Sequence, residues 1–259
     1  MSGAGLRLGR LFRRESRRSF MVAFDRTLLE GPAPFGVDAR ATLERIVAAG
    51  PEAVLVGPGL LKRCGDLFAH RGAPAVVLRI DYPMVAEFSQ GGREYHRMVC
   101  DPEHAARLGA DAAVMCLVEG YADADNYALN VTAVAEAARR CADAGLPLIV
   151  ESVLWGSTSP DQKDATRLAA ISRIAVELGA DAIKTQYPGT AEGMRAIVEA
   201  CPAPVMVLGG AAADAAAVER FTQCAIAGGA VGAIYGRNVW QREDVAGMAA
   251  TLKRLVHGG

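Results

Sequence analysis

Short apolar runs recur along the chain at 19–24, 53–56, 75–81, 112–118, 148–152, 180–184, 204–208 and 232–235. Each is followed by a stretch of helical character, at 38–49, 60–70, 101–108, 125–144, 162–178, 191–200, 214–227 and 244–256. The runs are apolar throughout rather than alternating. That marks strands covered on both faces, which belong to parallel sheets with helical crossovers. Local signals agree: Asp101-Pro102-Glu103 is a sound helix start. Leu-Gly-Ala-Asp-Ala occurs at 108–112 and again at 178–182, each time as a helix end feeding a strand. Eight such units in 259 residues predict a single-domain α/β chain folded as a (β/α)8 TIM barrel over 1–259. The competing fold, an open doubly wound sheet, usually carries its glycine fingerprint after the first strand. Asp25-Arg26 stands there instead, and the glycine-bearing turns, Gly209-Gly210 and Gly236-Arg237, follow the last two runs. Gly31-Pro32 and Pro34 are expected to form a loop, and 82–97, which contains Gly91-Gly92, an irregular segment.

The first 18 residues interleave Arg7, Arg10, Arg13, Arg14, Arg17 and Arg18 with Leu6, Leu8, Leu11 and Phe12. A transit peptide can look like this, but Glu15 interrupts the pattern and the segment runs directly into a strand. A short amphipathic leader helix packed on the domain is the expectation. A net charge of −1 argues against a nucleic-acid or anionic-membrane partner. No run reaches the roughly 18 apolar residues of a membrane span. The six cysteines show no CxxC pair and no Cys/His cluster, which suits reduced, mostly buried thiols in a cytoplasmic protein. The four histidines are dispersed, so neither a metal site nor a cofactor is expected.

In a barrel the C-terminal strand ends share one mouth, and the mouth holds the site. Asp25, Gly57, Asp81, Glu119, Glu151, Lys184, Gly209-Gly210 and Gly236-Arg237 fall there. Lys184 is the anomaly: it is one of only four lysines, and it ends a buried run just before Pro188-Gly189. It either snorkels or pairs with a carboxylate, or it is a desolvated amine that can form a Schiff base. The second reading needs a fall in pKa from about 10.4 towards about 7–8, a cost of about 4 kcal/mol that the site must supply. Asp25 is read as an acid/base or orienting carboxylate, against a helix cap or a pair with Arg26. Glu151 is read as a proton-transfer group, against a buried partner for an arginine or for Lys184. Gly209, Gly210, Gly236 and Arg237 are candidates to bind substrate phosphate, through backbone N–H groups and a charged fork, against mere tight turns. Trp155 is read as loop packing. An amine, carboxylates and a phosphate cradle at one mouth describe a metal-independent Schiff-base aldolase acting on a small phosphorylated carbonyl substrate.

At this point the sequence resembles a known family over nearly its whole length. The matching blocks are Leu11-Phe12-Arg13-Arg14-Glu15-Ser16, Phe24-Asp25 with Gly31-Pro32, and Leu178 through Thr185. Cys201-Pro202-Ala203-Pro204, Gly209-Gly210 and Gly236-Arg237-Asn238-Val239-Trp240-Gln241 continue the match. The chain is similar to the archaeal-type class I fructose-bisphosphate aldolases, the DhnA branch of the DeoC/LacD aldolases, and within them to the 2-amino-3,7-dideoxy-D-threo-hept-6-ulosonate synthases. The resemblance implies Lys184 as the Schiff-base lysine, Asp25 as a site carboxylate, the two glycine-bearing strand ends as the phosphate site, and a homo-oligomer. Two blocks depart from the pattern. The family's Asp-His-Gly reads Asp25-Arg26-Thr27, and its tyrosine-bearing segment reads Val153-Leu154-Trp155-Gly156. Glu151 is the nearest titratable residue on that strand. The pair Val150-Glu151 resembles a thiolase branch, so a lysine-dependent acyl transferase stands as an alternative, as does a barrel that only binds a phosphorylated ligand.

Overall fold

The computed structural model describes residues 3–31, 38–85 and 93–258. The loop expected around Pro32 and Pro34, and the pair Gly91-Gly92, lie outside the described residues. In chain order the elements are α1 (Gly3–Arg10), β1 (Ser19–Phe24), α2 (Arg26–Glu30), α3 (Ala39–Ala48), β2 (Ala53–Val56) and α4 (Pro58–Cys64), which runs into a 3-10 turn (Gly65–Phe68). Next come β3 (Ala75–Arg79), β4 (Asp81–Met84), β5 (Tyr95–Met98), α5 (Pro102–Arg107), β6 (Ala112–Val118), α6 (Ala124–Asp143) and β7 (Leu148–Val153). The chain ends with α7 (Ala165–Glu177), β8 (Ala182–Thr185), α8 (Ala191–Ala200), β9 (Val205–Leu208), α9 (Ala215–Ala227), β10 (Gly232–Tyr235), α10 (Arg237–Trp240) and α11 (Val245–His257). Strands β1, β2, β3, β6, β7, β8, β9 and β10 pair in that order, and β10 returns to β1, closing an eight-stranded barrel. Every barrel pairing is parallel.

Alternation along each strand divides the core into two shells. Met21, Leu55, Val77, Val114, Ile149, Met206 and Ile234 point inward and fill the barrel. Phe20, Val22, Leu78, Met115, Val150, Ile183 and Val207 point outward against the helices. Helix starts are fixed by side-chain caps: Asp38, Asp164, Thr190, Asp214 and Asp244 each accept backbone N–H bonds from the first turn.

The leader does pack on the domain, with most of the burial just after its helix. Leu11 is fully buried in the inward shell, flanked by Leu8 and Phe12, and closes the N-terminal end of the barrel. Glu52 locks the same end, taking the Phe20 N–H at 2.8 Å and pairing with Arg13 at 3.0 Å and His257 at 3.1 Å. Two expectations need correction. The run 75–81 is not one strand, because it leaves the barrel after Arg79. The segment 82–97 is not irregular throughout, because β4 and β5 pair as an antiparallel hairpin from Asp81↔Met98 to Met84↔Tyr95. Pro83 and the lack of alternation hid it from the sequence. Among the described residues no helix is long and apolar enough to cross a membrane.

Candidate active site

Register places the two central groups. Glu151 on β7 pairs directly with Lys184 on β8, so in adjacent parallel strands both side chains project to the same face. Ile149 and Ala182, two residues earlier on each strand, belong to the inward shell, so that face is the barrel interior. Lys184 Nζ lies 2.7 Å from Glu151 Oε1, and both side chains are almost wholly buried. The amine therefore neither snorkels nor stands alone.

The other oxygen of Glu151 binds Arg79 Nη2. Arg79 ends β3, points inward, and its side chain is 3% exposed. Its Nε donates to Asp25 Oδ2 at 2.8 Å, and its Nη1 to Asp81 Oδ1 at 3.1 Å and to Cys116 Sγ at 3.2 Å. Asp81 also accepts the Cys116 N–H at 2.7 Å and faces His96 Nε2 at 2.9 Å. Burial works against each of these charges, and pairing overcomes it. The Glu151 carboxyl, which burial would raise, is brought down to about 2 by Lys184 and Arg79. Asp81 is likewise held below the usual carboxylate range, by Arg79 and His96 against burial. Arg79, disfavoured by burial, is held well above its ordinary value with the help of the three carboxylates. Burial pushes the Cys116 thiol well up, so it stays protonated.

Asp25 occupies the N-cap position of α2, yet its side chain makes no cap bond and turns to Arg79 instead. The glycine turns after β9 and β10 are tied together. Asn238 Nδ2 donates to Gly209 O at 2.8 Å and Ala211 O at 3.0 Å, while Arg237 Nη2 donates to Gly210 O at 3.1 Å. Gly210 has φ +63°, which favours glycine, and a Cβ on Gly209 would sit 3.0 Å from the Tyr235 ring.

Asp25, Glu151, Lys184, Gly209, Gly210, Gly236 and Arg237 all border one cavity of about 450 Å³. The remaining rim candidates do not. Gly57 caps α4, and Glu119 pairs with Arg167 at 2.8 Å to one side. Asp81 is fully buried behind Arg79. Trp155, expected only to pack its loop, borders the cavity. Sequence reasoning missed Arg79, Cys116, Gln162, Lys163, Gln186 and Tyr187, all of which line it. Arg79 could have been found by period-2 counting from the inward Val77.

The chain and its fold are similar to those of known proteins. The 2-amino-3,7-dideoxy-D-threo-hept-6-ulosonate synthase of Halobacterium salinarum is 29% identical over 240 residues, covering 93% of this chain and 87% of the relative. The crystal structure of an archaeal fructose 1,6-bisphosphate aldolase superposes with a TM-score of 0.85 at 27% identity, covering 99% of this chain and all of that one. An archaeal fructose-1,6-bisphosphate aldolase whose catalytic lysine is covalently bound to the carbinolamine intermediate superposes with a TM-score of 0.83 at 25% identity, covering 98% and 100%. Residues 19–242, from the first barrel strand to just past α10, match the DeoC/LacD family aldolases, and the chain belongs to that family.

Proposed function

We propose that the chain is a class I aldolase. In this reading Lys184 condenses with the ketone of a phosphorylated ketose or a dihydroxyacetone-phosphate-like donor, and the iminium makes or breaks the adjoining carbon–carbon bond. The observation that carries the reading is a buried amine 2.7 Å from a carboxylate, opening on the same cavity as the paired glycine turns.

The chemistry follows from the groups present. The unprotonated amine adds to the carbonyl carbon, the oxygen takes up a proton, and loss of water leaves an iminium. In the cleavage direction a carboxylate accepts the proton of the hydroxyl β to the iminium carbon. The carbon–carbon bond breaks, the aldehyde leaves, and the electron pair is held as an enamine. Protonation of the enamine carbon and addition of water return the ketone and the free amine. Glu151, held at about 2, is ionised at neutral pH, so in the resting site it is not a proton donor; it accepts a proton only as the charge on Lys184 changes, and Asp25 faces the same space. Gly209, Gly210, Gly236 and Arg237 would take the phosphate, whose binding energy away from the reacting bond orients the ketone. The homo-oligomer implied by the resemblance and a cytoplasmic location belong to the same proposal. Six free thiols fit a reducing compartment.

Incubation with dihydroxyacetone phosphate and with ketose phosphates, followed by borohydride, tests the reading. The expected result is a covalent adduct in the intact mass that maps to Lys184, accompanied by retro-aldol release of aldehyde. Lys184→Met should lose the adduct and on the order of a thousandfold or more in rate. Acetyl transfer to coenzyme A without aldehyde release would point to acyl transfer. Binding with no adduct from any substrate would leave only a ligand-binding barrel.

A further inference from the structure

Arg79 is the hub of the buried cluster. Four of the five N–H groups of a guanidinium are taken here, by Asp25, Asp81, Cys116 and Glu151. Those partners come from four places: the end of β1, the hairpin strand β4, and the barrel strands β6 and β7. A rigid planar fork fixes the directions of several carboxylates at once, whereas an ammonium on a flexible stem binds them as a point charge and fixes none. Resting on the Schiff-base reading, we infer that Arg79 is the positioning residue of this site. It fixes Asp25 and Glu151 in relation to Lys184 and takes a share of the Glu151 charge that would otherwise fall wholly on the lysine.

The sharing is visible in the geometry. Glu151 Oε1 meets Lys184 Nζ and Glu151 Oε2 meets Arg79 Nη2, so one carboxylate serves two cations. The charged and titratable groups nearest this point are Asp25, Asp81, His96, Cys116, Glu151 and Lys184, and Arg26, Lys163, Tyr187 and Arg237 face the same cavity. If Arg79 is removed, Asp25, Asp81 and Glu151 lose the cation they share, and more of their charge acts on Lys184, 2.7 Å from Glu151. Each carboxylate then favours the protonated amine more strongly, and the amine releases its proton for attack less readily. Asp81 anchors Arg79 from behind and is itself held by His96 on β5, so the hairpin that left the barrel after β3 braces the fork.

Two substitutions separate positioning from mere support of the fold. Arg79→Met removes both charge and fork. It should move the pH at which borohydride trapping is half-maximal upward by about one unit or more. Arg79→Lys keeps the charge and loses the fork. Its trapping profile should stay near that of the unchanged protein, while kcat falls about a hundredfold with KM within about threefold. A folded Arg79→Met protein with an unmoved trapping profile overturns the inference. So does Arg79→Lys with unchanged kcat, and this second arm decides the matter if the methionine variant does not fold. Failure of the unchanged protein to be trapped at all would instead sink the Schiff-base reading, so the two failures are distinguishable.

Discussion

The most telling polar atoms in this protein are those that burial should have penalised. Lys184, Glu151, Arg79 and Asp81 are all nearly or wholly inaccessible, and each is answered by an opposite charge within hydrogen-bond reach. Tyr121 is the contrast. Its ring packs with Cys116, Val118, Val153 and Leu208 at the upper end of the barrel, while its hydroxyl is buried with no hydrogen-bond partner among the described residues. Burial pushes that phenol up, so it stays protonated. An unmet buried hydroxyl costs about 1–3 kcal/mol. Tyr121→Phe should therefore raise stability by about 1 kcal/mol or more in urea unfolding and leave kcat unchanged. A loss of activity with no gain in stability would mean that the hydroxyl meets substrate and is not simply stranded. At this scale the sequence was legible where a residue type contradicted its surroundings. Lys184 and Glu151 stand out in apolar runs, but Tyr121 and Cys116 do not. Arg79 shares the phase of the inward Val77, but an arginine ending a strand usually reaches water, so its residue type alone does not mark it as buried.

Loops at the mouth are held by contacts between elements far apart in sequence. Gly120 follows β6, and Gly156 follows β7. A Cβ on Gly156 would lie 1.9 Å from the carbonyl carbon of Gly120, so alanine cannot fit unless one loop moves. Glu94, just before β5, adds a clamp: it accepts the Ala122 N–H at 2.9 Å, and the Ser157 N–H and hydroxyl both at 2.8 Å. The β7 loop pinned in this way carries Trp155, Gln162 and Lys163 to the cavity wall. Gly156→Ala should displace that wall and lower kcat/KM about a hundredfold, as misplaced contacts do. Near-normal kinetics in a folded Gly156→Ala protein would show that the loop does not shape the substrate site. The barrel strands were readable as elements because their apolar runs are contiguous. The hairpin β4–β5 and the four-residue helix α10 were not, since Pro83 breaks the one pattern and α10 is too short to show a period. The meeting of two glycines from different loops has no trace in either local sequence.

Across the whole molecule the barrel separates two tasks along its axis. The N-terminal end is closed by apolar packing, with Leu11 fully buried against the lower layer of inward side chains. The C-terminal end is open, and its charges are arranged around the cavity. Between them the inward positions are filled by residues such as Leu55, Val114 and Met206, so no aqueous path is needed for either end to do its work. Groups this far apart, with no shared partners, should contribute independently. Leu11→Ala removes a buried side chain from a packed end and should cost about 2–5 kcal/mol of stability. The turnover number per folded molecule, measured well below the lowered melting temperature, should be unchanged, and so should borohydride trapping at Lys184. If kcat fell in step with stability while the protein remained folded, the lower plug would have to be setting the height of β7 and β8, and with it the spacing of Glu151 and Lys184. Unequal responses, with stability lost and chemistry kept, are what a barrel built as a plugged base beneath an independent mouth requires.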